Sequence, residues 1–217
     1  MKQKGKRILL ADDHGVVRLG LSSIIRKLRP DSIIDEVDDY QKVMHKIKDT
    51  SYDLAILDLN MPNGNFQEAL AAIKGKDPHT KVMIFSSQDE SIYALRYLKM
   101  GADGFLHKFA DEDVINNALT KMLDRGSYMS EDVKDSLIFN KLNKQPATIN
   151  PTEVLTNREM EVAERLITGE PIKDISNDLN IHASTVSTYK TRILEKLNIE
   201  SIPELIKLFD FHQISRD

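Results

Sequence analysis

The sequence predicts an α/β fold, a five-stranded doubly wound parallel sheet, followed by a small all-helical domain. Short apolar runs alternate five times with amphipathic segments between Arg7 and Arg125, the pattern of a parallel sheet with helices on both faces. Two prolines then interrupt the periodicity between Gln145 and Pro151, as in a linker. Only helical spacing follows them, which indicates a second domain of a different class.

The five apolar runs have the length and composition of buried parallel strands. We predict strands at Arg7–Ala11, Ser32–Val37, Leu54–Asp58, Val82–Ser86 and Gly104–His107. The segments between and after them predict helices at Gly15–Arg29, Tyr40–Thr50, Gln67–Lys76, Glu90–Met100 and Asp111–Arg125. In the fourth helix, Ile92, Leu95 and Leu98 recur at helical spacing and form one apolar stripe.

The helical part of the chain has its own start and stop signals. Thr156 followed by Glu159 is a capping-box pattern, and Gly169 and Pro171 suit the end of one helix and the beginning of the next. Further helices are predicted at Ile172–Leu179, at Ala183–Asn198 and from Ser201 onward. A helical piece is also expected at 131–144. We therefore divide the chain into a first domain, a helical and flexible linker and a second domain, at residues 1–127, 128–151 and 152–217.

The bulk composition narrows the function classes without choosing among them. The 217 residues are 41% hydrophobic with a net charge of −4, which allows two small domains and gives no global sign of nucleic-acid binding. No apolar run is long enough for a transmembrane helix, and Asp12 ends the short apolar stretch after the basic N-terminus, so no signal peptide is predicted. The lack of cysteine excludes disulfides and thiolate metal sites and is compatible with a cytoplasmic protein.

Acidic side chains and one lysine stand at the ends of three predicted strands. Asp12 and Asp13 follow the first strand, Asp58 ends the third, and Lys108 follows the fifth. Because parallel sheets bind ligands beyond the carboxyl ends of their strands, these side chains are expected to converge. Neighbouring carboxylates need a cation; oxygen ligands favour Mg²⁺, and Lys108 adds a positive charge for an anion such as phosphate.

This combination predicts a site at which phosphate is placed on a carboxylate. Taken singly, Asp12 and Asp13 are as compatible with a solvated turn, and Lys108 with a surface lysine. Their joint placement at strand ends favours the site.

Residues 7–125 resemble the receiver domain of two-component response regulators, which has a flavodoxin-like fold. The motifs that carry the resemblance are Asp12-Asp13, Asp58-Leu59-Asn60-Met61-Pro62, Ser86 and Lys108. The resemblance implies that Asp58 accepts a phosphoryl group from a sensor histidine kinase, and that Ser86 and Lys108 contact that group. The magnesium ligands that it implies are Asp12 or Asp13, together with Asp58 and the backbone carbonyl of Asn60.

Two features of the first domain leave alternatives open. Phe105 stands where receivers carry an aromatic residue that moves between outward and inward positions, so that Ser86 and Phe105 would form a switch. A packed core residue is an equal alternative for Phe105. The histidines, His14 among them, are scattered along the sequence and are expected to be solvated or packed rather than to bind a transition metal.

Residues 155–208 resemble the LuxR-type helix-turn-helix, and the whole chain resembles a NarL/FixJ-type response regulator. The resemblance is carried by Leu155-Thr156-Asn157-Arg158-Glu159, Val162, Leu166, Gly169, Lys173, Ile175, Leu179, Ile181, Val186, Ile193 and Lys196-Leu197-Asn198. It implies that the helix beginning near Ala183 lies in the major groove of double-stranded promoter DNA. The DNA-binding residues implied are Lys173, Thr185, Ser187, Thr188, Lys190, Thr191 and Arg192.

The charge of the second domain opposes this expectation. From Asn150 to the end, eight Lys and Arg stand against twelve Asp and Glu, whereas DNA-binding domains usually present a basic surface. The predicted recognition helix itself carries Lys190, Arg192 and Lys196 against Glu195, so its local charge favours DNA. We expect weak binding by a monomer and a requirement for a homodimer.

The sequence thus predicts a transcription regulator in which phosphorylation of Asp58 exposes the recognition helix, permits dimerisation, or both. One alternative is a small-molecule phosphatase or phosphotransferase. Such enzymes typically carry an acid/base aspartate two residues after the nucleophile, where this chain has Asn60, so we expect no turnover beyond self-phosphorylation and self-dephosphorylation of Asp58. The other alternative is a signalling adaptor whose helical domain binds protein.

Overall fold

The computed structural model describes residues 5–135 and 154–214 of a chain that divides into two units, Met1–Ile138 and Phe139–Asp217. The predicted fold class is confirmed, because the first unit is built on a parallel sheet and the named elements of the second are all helical. Every predicted helix and strand of the sheet domain begins and ends within one residue of the predicted position.

Five parallel strands form the sheet in the order β2-β1-β3-β4-β5. Their bounds are β1 Arg7–Ala11, β2 Ile33–Val37, β3 Leu54–Leu57, β4 Lys81–Ser86 and β5 Gly104–His107. The central strand β3 is buried at all four positions, whereas the edge strand β2 is mostly accessible. This difference follows from position, since only the inner strands are covered on both faces and on both sides.

Five helices cover the two faces of the sheet. Their bounds are α1 Gly15–Leu28, α2 Tyr40–Asp49, α3 Phe66–Lys76, α4 Glu90–Lys99 and α5 Glu112–Arg125. Residues of α1 and α5 such as Ile25 and Leu119 pack on Ile8, Ile56 and Met83 of the sheet. The opposite face carries an aromatic cluster from α3, α4 and β5, described below.

The chain turns back onto the sheet after α5. Gly126, with a φ of 72°, caps α5, and Tyr128 then forms a parallel bridge with Gly104 of β5. Tyr128 and Val133 are buried, and residues 131–135 are helical. These residues are the only described part of the predicted linker, so the rest of the helical piece predicted at 131–144 and the two prolines lie outside the described residues.

Within residues 154–214, the described part of the second unit, four helices surround one apolar centre. Their bounds are α6 Asn157–Ile167, α7 Ile172–Asp178, α8 Ala183–Leu197 and α9 Ile202–Ile214. The predicted capping box is present, because Thr156 and Glu159 bond reciprocally across the first turn of α6. Leu205 and Phe209 of α9 are buried and form part of this apolar centre. Among the described residues, no helix combines the length and apolarity that crossing a bilayer requires.

Candidate functional site

Two carboxylates lie side by side at the carboxyl edge of the sheet, as the sequence predicts. The backbone N–H of Asp58 donates to the carbonyl of Ala11 at 2.9 Å, which extends the pairing of β3 with β1 by one residue. Asp12 and Asp58 therefore leave neighbouring strands at the same level. Their residues are 1% and 3% exposed, so both carboxylates lie in a largely desolvated pocket.

Lys108 joins these carboxylates from the end of β5. Its Nζ lies 2.7 Å from Asp12 Oδ2 and 2.9 Å from Asp58 Oδ2. Burial by itself lowers the pKa of Lys108, but the bonds to both aspartates outweigh it and raise this pKa above its usual value. Lys108 is therefore a permanent cation placed beside Asp58.

One lysine does not balance the acids of this pocket. Burial raises the pKa of Asp58 above its ordinary value, although Lys108 and the backbone N–H of Asn60 act in the opposite direction. Asp13 lies exposed at the rim. One donor atom from each of Asp12, Asp13, His14 and Asp58 lies within 4.8 Å of the other three. Hard oxygen donors around a carboxylate that burial disfavours as an anion suit a divalent cation.

The remaining predicted residues of this pocket occupy the neighbouring strand and loop. Ser86 ends β4, the strand between β3 and β5, and is fully buried. Its Oγ accepts a hydrogen bond from the backbone N–H of Gln88 at 3.2 Å. The side chain of Asn60 is exposed, and its backbone N–H bonds to the carboxylate of Asp58. Ser86 thus lies at the same edge of the sheet as Asp58 and Lys108.

Phe105 is packed inside the sheet domain in this structure. It is 1% exposed and stacks on Tyr97 of α4, with 6.3 Å between ring centroids. Tyr97 in turn meets the edge of Phe66 at 5.2 Å. The inward position agrees with both sequence alternatives, a core residue and the inner position of a switch.

Three residues around the pocket were missed by the sequence reasoning. Tyr40 donates from its hydroxyl to the carbonyl of Asp58 at 2.5 Å, and Arg18 donates from Nη1 to the carbonyl of Asp12 at 2.5 Å. His14 places Nδ1 2.6 Å from Asp13 Oδ1, and its side chain is 68% exposed, which agrees with the expectation of a solvated histidine. Only His14 had a signal in the sequence, its position directly after two acids at a strand end.

A polar face of α8 forms the second candidate site. Ser187, Thr188, Thr191 and Arg192 are exposed and recur at helical spacing, while Val186 and Ile193 on the opposite face are fully buried. Thr185 and Lys190, at the borders of this face, are half-buried, and Lys173 is exposed on α7.

The hydroxyls of this face are only partly engaged. Ser187, Thr188 and Thr191 each donate to the backbone carbonyl four residues earlier, at 3.1, 2.9 and 3.2 Å. A hydroxyl that donates in this way keeps its lone pairs as acceptors. The face therefore offers three acceptors and the guanidinium group of Arg192 to a ligand.

Lys196 differs from the other cations of α8. Its Nζ donates to Glu159 Oε2 at 2.7 Å, and Glu159 is 3% exposed. From the sequence, Lys196 is expected to add positive charge to the recognition helix, but its pairing with Glu159 offsets that charge within the domain. The local positive charge of α8 therefore rests on Lys190 and Arg192.

Comparisons with known proteins match both units. Residues 8–120 match the response regulator receiver domain, and residues 153–209 match the luxR family of bacterial regulatory proteins. The oxygen regulatory protein NreC of Staphylococcus carnosus (strain TM300) is 31% identical over 216 residues, which cover 94% of this chain and 100% of NreC.

Two solved structures of the response regulator RcsB have a similar fold. One, from Salmonella enterica serovar Typhimurium, is bound to a promoter in the presence of the phosphomimetic BeF3−; its TM-score is 0.59 at 19% identity, covering 94% of this chain and 98% of that chain. The other contains two RcsB dimers bound to two parallel DNAs, with a TM-score of 0.56 at 20% identity, covering 95% of this chain and 98% of that chain.

Proposed function

This chain belongs to the two-component response regulators of the NarL/FixJ type, in which a receiver domain precedes a LuxR-type DNA-binding domain, and on this premise we propose that phosphorylation of Asp58 controls its binding to promoter DNA. The observation that carries the proposal is the contact of Lys108 with both Asp12 and Asp58 in a buried pocket. We assign residues 1–127 to the receiver, 128–151 to a linker whose first part, 128–135, packs on the receiver, and 152–217 to the DNA-binding domain.

Asp58 is the nucleophile of the proposed reaction. One of its carboxylate oxygens attacks the phosphorus of a phosphohistidine on a sensor kinase; the P–O bond forms as the P–N bond breaks, and the imidazole leaves with the electron pair and takes up a proton. Lys108, 2.9 Å from Asp58 Oδ2, would pair with the transferred group. Ser86, at the end of the adjacent strand, would donate its hydroxyl hydrogen to a phosphoryl oxygen.

The acid cluster fits a magnesium ion. Asp12, Asp13, Asp58 and the backbone carbonyl of Asn60 would hold it, since carboxylate and carbonyl oxygens are its preferred ligands. When bound, the ion would offset the repulsion between Asp58 and the incoming phosphoryl oxygens. The raised pKa of Asp58 supports this assignment, because burial leaves the carboxylate short of compensating charge.

The family consists of DNA-binding regulators rather than metabolic enzymes. The pocket supports phosphoryl acceptance by Asp58 without turnover of a small-molecule substrate. Asn60 stands two residues after Asp58, and an amide cannot serve as a general acid or base there. We therefore assign to the chain self-phosphorylation and self-dephosphorylation of Asp58 only.

Phosphorylation would change the charge balance that now holds Lys108. A phosphoryl group adds about −1.5 to −2 charge and three acceptor oxygens, which compete with Asp12 for the ammonium group and draw Ser86 towards Asp58. Ser86 precedes the segment that leads into α4, and Tyr97 of α4 stacks on Phe105. Ser86 and Phe105 would therefore transmit the change to α4 and β5, which alters dimerisation, exposure of the recognition helix, or both.

The DNA-binding surface is the polar face of α8 with its flanking cations. Ser187, Thr188 and Thr191 would meet base edges, and Lys173, Lys190 and Arg192 would contact phosphates, with Thr185 at the border. Because a hydroxyl accepts from or donates to several bases, such a face reads sequence modestly and relies partly on DNA shape. A homodimer would double the contacts, as in the RcsB dimers seen on DNA.

The test is DNA binding by the full chain, measured by fluorescence anisotropy on promoter fragments with and without BeF3− and Mg²⁺. We expect tighter binding with BeF3−, loss of this response in Asp58→Asn, and an unchanged response in Asp53→Asn. Asp53 is a matched control because it lies before β3, at the other end of that strand from Asp58, and pairs with Lys6. Specific binding that ignores BeF3− would contradict the switch, and no specific binding in any state would favour the protein-binding adaptor.

A further inference from the structure

The carboxylate of Glu90 connects the start of α4 to the chain that follows α5. Glu90 is the first residue of α4, and its side chain accepts hydrogen bonds from both the hydroxyl and the backbone N–H of Ser130. Ser130 lies between Tyr128 and Val133, which are buried in the segment that packs beside β5. These two bonds are called the Glu90–Ser130 contact below.

Ser130 also begins the short helical turn at 131–135. Its Oγ accepts from the backbone N–H of Val133 at 3.4 Å, and its carbonyl accepts from the backbone N–H of Lys134 at 3.1 Å, as at a helix N-cap. Because the hydroxyl accepts from Val133 and donates to Glu90, its orientation is fixed. Loss of the Glu90 carboxylate would therefore leave two donors of Ser130 without this acceptor and loosen the start of the turn.

The carboxylate of Glu90 is only partly compensated. Burial raises its pKa above the ordinary value, and Asp132 acts in the same direction, whereas the bonds from Ser130 and the nearby His107 lower it. Its Oε1 is buried and accepts no hydrogen bond from the residues that the structure describes. Since a desolvated charge is costly unless it is fully paired, the net stability of the Glu90–Ser130 contact is small, and a modest shift at the start of α4 suffices to break it.

Glu90 is separated from Ser86 by three residues. The Oγ of Ser86 accepts from the backbone N–H of Gln88 at 3.2 Å, so the Ser86 side chain fixes the loop that leads into α4. A Ser86 hydroxyl that turns to a phosphoryl group on Asp58 gives up this position. The loop and the first turn of α4 then shift together, because only Asp89 lies between Gln88 and Glu90.

We propose that the Glu90–Ser130 contact holds residues 128–135 on the receiver while Asp58 is unphosphorylated, and that phosphorylation breaks this contact. The inference rests on the switch of the proposed function and adds to it the residue pair through which the switch reaches the linker. Coupling between two sites is reciprocal. Breaking the contact by mutation therefore makes the phosphorylated conformation easier to reach.

Hydrogen–deuterium exchange of the full chain, followed by mass spectrometry of a peptide covering 129–135, tests the contact. With BeF3− and Mg²⁺ we expect exchange in this peptide to become at least about tenfold faster. Glu90→Ala should exchange this fast already without BeF3−, and Ser130→Ala should lie between it and the parent protein. Glu112→Ala is the matched control, because Glu112 also begins a helix, α5, but is exposed.

A second readout separates coupling from a merely structural role. Titration with BeF3−, followed by the ¹⁹F nuclear magnetic resonance signal of the bound ion, gives the half-saturating concentration. Reciprocity predicts a value lower by up to about tenfold for Glu90→Ala and an unchanged value for Glu112→Ala. A peptide from β3 is the internal reference for folding. If it exchanged faster in Glu90→Ala by the same factor as 129–135, the role of Glu90 would be global stability and the inference would be wrong.

The outcomes separate the inference from the proposed function. If BeF3− tightens DNA binding while exchange at 129–135 stays the same, or if Glu90→Ala exchanges like the parent protein, the inference is overturned and the proposed function stands. If BeF3− changes neither DNA binding nor exchange, the switch fails and the inference fails with it.

Discussion

The hydroxyl group of Tyr40 donates a hydrogen bond to the backbone carbonyl of Asp58, with 2.5 Å between the two oxygens. Tyr40 begins α2 and is 1% exposed, and its backbone N–H donates to the carbonyl of Pro62 at 3.1 Å. Burial and the Asp58 carboxylate raise the pKa of Tyr40, so the hydroxyl keeps its proton and remains a donor. Tyr40 thus bonds to the loop that follows β3 at its first residue, Asp58, and again at Pro62.

Replacing Tyr40 with Phe should slow phosphorylation of Asp58 and destabilise the receiver. The change leaves the buried carbonyl of Asp58 without its donor, at a cost of about 1–3 kcal/mol. Urea unfolding and the rate of acyl-phosphate formation measure the two effects. Tyr52→Phe is the matched control, because Tyr52 bonds to Asp35 on the edge strand; it should lower stability without changing the rate. Equal rates for the Tyr40→Phe variant and the parent protein would contradict the positioning role.

Gly64 and Gly75 should respond oppositely to the same substitution. Gly64 has a φ of 149°, and a Cβ added there would lie 2.6 Å from the Cβ of Tyr40. Gly75 lies in α3 with open space around it. We expect Gly64→Ala to destabilise the receiver by more than about 1 kcal/mol and Gly75→Ala to stabilise it by up to about 1 kcal/mol. Thermal melts compare the two, and a stable Gly64→Ala would show that Tyr40 can yield without cost.

The stability of the DNA-binding domain should depend on the charge of Glu159. Burial raises the pKa of Glu159, but Lys196 and Thr156 outweigh it and lower this pKa below 4.5. The carboxylate therefore contributes stability above pH 4.5, and this contribution is lost as the pH falls through the lowered pKa. Glu159→Gln should cost about 1–2 kcal/mol at pH 7, and the difference should shrink below pH 4.5.

Urea unfolding of the parent protein and Glu159→Gln at several pH values measures this dependence. Glu161→Gln on the same helix is the control, since its pair with Arg158 is partly exposed and should contribute less than about 1 kcal/mol. A cost of Glu159→Gln that stays constant down to pH 3 would contradict the charge-based explanation.

Lys173 and Thr188 should affect DNA binding in different ways. Lys173→Ala should weaken binding to all sequences about equally and reduce the salt slope by about one, because we propose that Lys173 contacts a DNA phosphate. Thr188→Ala should alter the preference among binding sites with little change in the salt slope. Affinity measured across salt concentrations on two promoter variants distinguishes them. Lys27→Ala, which replaces an exposed lysine of α1, should change neither quantity. If Thr188→Ala lowered the affinity for both promoter variants equally, this would contradict a base contact by Thr188.

The sheet domain was predictable because its inner strands are buried on both faces and stand out as continuous apolar runs. The bounds differ by single residues where the polar end of a strand still bonds to its neighbour: Asp58 was assigned to β3, and its N–H does donate to Ala11, although the strand ends at Leu57. The convergence of Asp12, Asp58 and Lys108 was predictable for the same reason, since parallel strands end at a common edge.

The contacts of Tyr40 with Asp58 and of Lys196 with Glu159 were not predictable from the sequence, because they depend on how side chains are directed towards distant parts of the chain. Nothing in the periodicity of α2 distinguishes Tyr40 from another buried residue, because its hydroxyl is directed by the path of the loop after β3. Lys196 has the spacing of an exposed cation, yet its partner Glu159 lies 37 residues earlier in the chain. Such pairs follow from tertiary packing, which local patterns do not encode.

The packing of the chain beside β5 after α5 determines where the receiver can be joined to another output domain. Tyr128 and Val133 are buried, so a receiver cut at residue 127 would lose two apolar anchors and uncover the sheet edge beside Gly104. A chimera that exchanges the output domain should therefore keep the native chain through at least residue 135. The two domains can thus be separated only after residue 135. The eight residues 128–135 belong structurally to the receiver.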